Sequence, residues 1–112
     1  MEGSLLAELA GGSRALVNSH HHQAIETVGR ELVATAWTSD GLIEALEDPR
    51  SDRFVLAVQW HPEIAWERDG FSRALFSRFV RAARDYASTR RAESAQSGQQ
   101  EGALPASDKV CM

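Results

Sequence analysis

The sequence predicts an α/β fold, on three observations. Two short apolar runs, Ala15-Leu16-Val17 and Phe54-Val55-Leu56-Ala57-Val58, read as strands. Between them, the residues on either side of Asp40-Gly41 read as a hairpin. Helical spacing brackets the set, with Leu5, Leu6 and Leu9 at one end and Phe71, Leu75, Phe79 and Tyr86 at the other. The order helix, strand, hairpin, strand, helix fits the α/β class, yet two core strands and a hairpin are too few to complete a sheet.

Each element has a local cause. Ser4 can cap the first helix, and Gly11-Gly12 ends it, since glycine is favoured just past a helix. After the strand at Ala15–Val17 comes Asn18-Ser19-His20-His21-His22-Gln23, a polar run without periodicity that reads as a loop, entering a helical turn at Ala24-Ile25. In the hairpin, Leu32, Ala34 and Ala36 alternate with Val33, Thr35 and Trp37, and Leu42, Glu44 and Leu46 with Ile43, Ala45 and Glu47. Asp40-Gly41 predicts a two-residue turn with positive φ at both positions. Pro49 to Asp52 is a turn. The continuous run Phe54–Val58 predicts a strand covered on both faces, as in a parallel sheet, stopped by Pro62, which lacks a ladder donor and biases His61 toward extended backbone. Asp69 then caps the last helix, whose apolar stripe needs a sheet face to lie on.

Composition sets the boundaries. All eight aromatic residues of the 112 lie at or before Tyr86. Residues 87–112 carry few large apolar groups, so they predict a disordered polar tail after a foldable portion at 1–86. A domain of that size hides only about 60 to 65% of its unfolded surface, which makes it marginal alone and invites a missing remainder or a complementary chain. The tail's charges balance, so the net charge of −4 falls on the first 86 residues. An acidic domain without a basic stripe is a poor phosphate-backbone binder, and nucleic acid is not an expected partner. No run approaches the roughly 18 apolar residues that span a bilayer, so no membrane is expected either. The N-terminus lacks a basic leader and the one cysteine permits no internal disulfide, which makes a reducing cytoplasm the expected location. Eleven arginines against one lysine fit a GC-rich bacterial genome.

Chemistry concentrates after Val58, where the chain leaves the strand. His61 and Glu63 stand two residues apart, so on extended chain their side chains share a side. A carboxylate beside an imidazole fixes its tautomer and stabilises its cation, which is the base-and-orienter half of a nucleophilic triad. Read from physics alone, a His-Pro-Glu turn that merely ends a strand is the favoured explanation of the residues.

The residues as a string decide between the two. Val58-Gln59-Trp60-His61-Pro62-Glu63 resembles the catalytic His/Glu signature of class I glutamine amidotransferases. Two further pieces in order narrow the resemblance to the γ-glutamyl-γ-aminobutyrate hydrolase-like branch. These are Val17-Asn18-Ser19-His20-His21-His22-Gln23-Ala24, similar to an Asn-Ser-x-His-His-Gln segment, and Asp40-Gly41-Leu42-Ile43-Glu44-Ala45, similar to an Asp-Gly-x-x-Glu-Ala hairpin. Ala57 departs from a commonly found glycine, and His20 occupies the variable position. The resemblance implies the C-terminal part of a flavodoxin-like three-layer sandwich and a cysteine-dependent hydrolase of γ-glutamyl amides. On that basis His61 is the general base and acid, Glu63 orients it, and Asn18, Ser19 and His21 line the substrate-side rim.

The nucleophile that this family carries is not in the sequence. It sits upstream of these motifs on a glycine-flanked strand-to-helix elbow whose N–H groups form the oxyanion hole. Cys111, the penultimate residue, has no strand before it or helix after it and is rejected as the catalytic thiol. The chain alone is therefore expected to be inactive, with its γ-glutamyl small-molecule substrate handled only when an N-terminal part or second chain is present. Two alternatives stand beside this reading: a glutaminase domain passing ammonia to a synthase partner, and a non-catalytic binding module. A zinc site from His20, His21, His22 and His61 is disfavoured, because adjacent histidines point in different directions and no Cys or spaced His-x-x-x-His accompanies them. No metal or cofactor is expected.

Overall fold

A computed structural model describes residues 1–100. The elements are α1 (Leu5–Ala10), β1 (Val33–Trp37), β2 (Ile43–Glu47), β3 (Leu56–Val58), a 3-10 turn at Pro62–Ile64, and α2 (Gly70–Gln100). Contacts divide the chain into two units, one spanning Met1–Val80 and the other beginning at Arg81.

The first helix forms as its caps dictate. Ser4 Oγ accepts from the Ala7 N–H at 3.1 Å, and Gly11, at φ 69°, closes the helix by donating to Glu8. A third device comes from far along the chain. The Glu47 carboxylate accepts from the N–H groups of Leu5 and Leu6 at 3.0 and 2.9 Å, giving the orphan donors of this short helix a buried anionic partner.

Three strands pair antiparallel in the order β1-β2-β3. The chain is thus α/β with an antiparallel sheet, and the run Phe54–Val58 does not make a doubly covered parallel strand here. Only Leu56–Val58 joins the ladder, Val55 and Ala57 are exposed, and the twice-covered strand is β2 instead, buried from Glu44 to Glu47. Position explains the difference: β2 has a neighbour on each side and β3 only one among the described residues. The hairpin forms, but its turn is longer than Asp40-Gly41 predicts. Gly41 N–H donates to the Thr38 carbonyl at 3.1 Å and Thr38 N–H to the Leu42 carbonyl at 2.9 Å, leaving three residues in the loop. Only Gly41, at φ 90°, takes positive φ, and Thr38 Oγ1 accepts from the Leu42 N–H at 2.9 Å. A turn of this kind followed by a left-handed glycine suits Gly41 and spares Asp40 a strained backbone. The β1–β2 register shifts between Ala34 and Ala36 and again before Trp37, so strict alternation fails on β1.

Two other expectations are corrected. Ala15–Val17 has no ladder partner, and Leu16 is 99% exposed. An apolar run becomes a strand only where an edge is offered to it, and among the described residues none is. At Ala24-Ile25 no helical turn forms. Ile25 bridges Ile43 across the end of the hairpin.

The core of the first unit gathers Leu6, Ala45, Trp60 and Leu75, with Leu9, Val17, Ala36, Leu56, Val58 and Phe71 against them. Trp60 meets Phe71 with ring centroids 5.8 Å apart. Asp69 caps α2 as expected, accepting from the N–H groups of Phe71 and Ser72 at 3.2 and 2.9 Å. The helix then outruns its expected end. It continues through residues 87–100, so that stretch is helical rather than disordered. Three alanines, three glutamines and two arginines in it are good helix formers, and a nucleated helix extends at little further cost. Residues 101–112, including the rejected Cys111, lie outside the described residues. The expected apolar stripe is only partly used: Leu75 is buried, whereas Phe76, Phe79, Val80 and Tyr86 are exposed. No helix among the described residues is long and apolar enough to cross a membrane.

Candidate functional site

His61 lies just beyond β3, at φ −109° and ψ 83°, outside the helical region that a following proline disfavours but short of fully extended backbone. Its Nδ1 is 2.7 Å from Glu63 Oε1. A carboxylate oxygen only accepts, so Nδ1 carries the proton and Nε2 is left with the free lone pair of a base. The Glu63 carboxyl is held below its ordinary range, first by its own backbone N–H and then by His61. Both side chains are about half exposed, at 47% and 58%.

The backbone under His61 is clamped. Asn18 Nδ2 donates to the His61 carbonyl at 2.8 Å, and the His61 N–H donates to Asn18 Oδ1 at 3.0 Å. Asparagine suits this task because its amide offers a donor and an acceptor side by side, matching one peptide unit's two groups. Asn18, expected on the substrate rim, thus spends its amide on His61.

His21 makes a second His/Glu pair. Its Nε2 lies 2.9 Å from Glu44 Oε1 and 3.0 Å from Ser19 Oγ, and its Nδ1 lies 2.8 Å from the Gln23 carbonyl. A carboxylate on one nitrogen and a carbonyl on the other are both acceptors, so imidazolium satisfies them best. Accordingly the His21 pKa is raised, chiefly by the bond to Glu44 and next by the Gln23 carbonyl. This pair is sheltered, with the two side chains 11% and 4% exposed.

The three motifs therefore converge, through the clamp on His61 and the His21–Glu44 bond. Ser19, Glu44 and Trp60 also border an open groove of about 690 Å³ whose other walls include Leu6, Ala10 and Trp37. His61 and Glu63 are not among its walls. Glu44 is the residue whose part went unread in the sequence. The signal was there, an acidic residue among apolar ones in a strand, but its partner lies 23 residues away. Among the described residues no group of three or more His, Cys, Asp or Glu is set to hold a metal ion.

With this geometry in place, comparison with known proteins is decisive. The family model described as Peptidase C26 matches residues 1–63. The chain belongs to the Peptidase C26 family. It is 53% identical over 85 residues to Rv2859c of Mycobacterium tuberculosis, named for a glutamine amidotransferase, covering 76% of this chain and 26% of the relative. It is 48% identical over 65 residues to the glutamine amidotransferase-like protein YvdE of Lactococcus lactis, covering 58% of this chain and 27% of that one. It is 40% identical over 82 residues to the γ-glutamyl-γ-aminobutyrate hydrolase PuuD of Escherichia coli, covering 72% and 32%. The chain thus spans about a quarter to a third of the length of these relatives.

Proposed function

We propose that this chain supplies the base half of a cysteine-dependent γ-glutamyl amide hydrolase. The observation that carries the reading is the His61–Glu63 bond at 2.7 Å, which leaves Nε2 as a proton acceptor on an exposed surface. A cysteine from protein outside the span shared with the relatives would give its thiol proton to His61 Nε2 and attack the γ-carbonyl. His61, now cationic, would return the proton to the leaving amine, and a second round with water would release glutamate. Glu63 stabilises the imidazolium through Nδ1 in both rounds. Because a neutral thiol is a weak nucleophile near pH 7, the neighbouring base is what makes the step feasible. The flavodoxin-like three-layer sandwich belongs to the same proposal, with the antiparallel sheet as one flank of a larger sheet.

The test is reconstitution. The chain alone should show no glutaminase or γ-glutamyl hydrolase activity. Joined to the N-terminal portion of PuuD, it should release glutamate from γ-glutamyl-γ-aminobutyrate, and His61→Ala should abolish that release. Turnover that survives His61→Ala would end the proposal. The amidotransferase names of two relatives favour a second reading, ammonia transfer to a synthase, and glutaminase activity appearing only with such a partner would select it.

A further inference from the structure

Two separate routes lead from Glu44 to His61. The first is backbone: the Glu44 carbonyl accepts the Gln59 N–H at 2.8 Å, fixing the chain two residues before His61. The second runs through side chains. Glu44 Oε1 holds His21, His21 closes its own loop by bonding Gln23 and Ser19, and Asn18 at the start of that loop clamps both backbone groups of His61. Glu44 itself is 3% exposed at the second position of β2, the central strand and the most buried one.

Such a placement is costly. Glu44 Oε2 is buried without a hydrogen-bond partner, and an apolar residue like the adjacent Ala45 or Leu46 would fill a central strand without that desolvation. The ion pair with His21 offsets part of the cost but does not explain why a charged residue stands there. We infer that Glu44, acting through His21 and Asn18, is a positioning residue that sets where the His61–Glu63 pair sits. The inference rests on the reading of His61 as the base, but the placement it describes is measurable without any reaction.

The experiment is amide hydrogen exchange by NMR on the full ¹⁵N-labelled chain, read at the His61 N–H and the Asn18 side-chain amide. Glu44→Ala should lower His61 protection about tenfold, the scale of one lost hydrogen bond, and move the Asn18 amide toward free-amide shifts, while β1 and β2 amides keep theirs. Glu44→Gln, which can still bond His21, should hold His61 protection to within about threefold. Should Glu44→Ala fail to fold, His21→Ala reads the same coupling and should give the same tenfold loss. Unchanged His61 protection in the folded Ala variants would overturn the inference. So would a loss shared equally by the sheet amides, or a Glu44→Gln variant as damaged as Glu44→Ala. Failure of the reconstituted enzyme to turn over would leave this readout untouched, so the two ideas fail separately.

Discussion

The molecule holds two histidine–glutamate pairs of the same chemistry and opposite character. His61 and Glu63 are two residues apart, about half exposed, and joined through one ring nitrogen. His21 and Glu44 are 23 residues apart, nearly buried, and His21 has acceptors at both nitrogens. A histidine held at one nitrogen keeps a lone pair for proton transfer, whereas one with acceptors at both is biased toward its cation and serves as an anchor. Burial and the number of acceptors, rather than residue type, separate the reactive pair from the fixed one.

That contrast can be broken first at the carboxylates. In the reconstituted enzyme, Glu63→Gln should cut turnover by about a hundredfold through loss of imidazolium stabilisation, and leave the thermal midpoint of the chain nearly unchanged because the residue is exposed. Glu44→Gln should do the reverse at the midpoint, lowering it while retaining more turnover than Glu63→Gln. Equal effects of the two variants on turnover and on melting would erase the distinction.

A smaller effect lies in pH. The His21 pKa is raised in the folded chain above the ordinary 6.5. Its stabilising contribution is therefore complete below about 6.5, the unfolded value, and is lost as pH rises through the folded value. Melting curves from pH 6 to 9 should show a decline that Glu44→Gln flattens. A wild-type midpoint indifferent to that range would mean that the cation does not anchor the loop.

The smallest expected effect appears at the acid end. Arg50 bonds the Asp48 carboxylate and holds its pKa at about 2, against an ordinary 3.8. A depressed carboxyl stabilises above its unfolded value and loses that contribution as pH falls from about 3.8 through about 2. Arg50→Ala should remove this limb of an acid melt and leave the His21 limb intact, which separates a local brace from the loop anchor.

How much of this was legible varies with the distance between partners. The caps at Ser4, Gly11 and Asp69 and the His61–Glu63 bond join residues no more than four apart, and all were readable. The Asp40-Gly41 hairpin was located, but its turn was misjudged because Thr38 closes the loop and Gly41 alone takes positive φ. Ala15–Val17 was misread because its apolar character says nothing about whether an edge is available. The helical stretch 87–100 was misread because a polar composition that cannot form a core can still extend a helix already begun.

By itself, then, the sequence determined the local chemistry: which residues cap, which turn, and that an imidazole and a carboxylate meet at the end of β3. Chain connectivity and allowed backbone angles are enough for that, since such partners have few ways to be apart. Only the tertiary structure decided that Glu47 caps α1, that Glu44 anchors His21, and that Asn18 clamps His61 from 43 residues away. Those meetings depend on β2 lying between its two neighbours and on a β1–β2 register that shifts twice, and register is a property of the paired strands together rather than of either one.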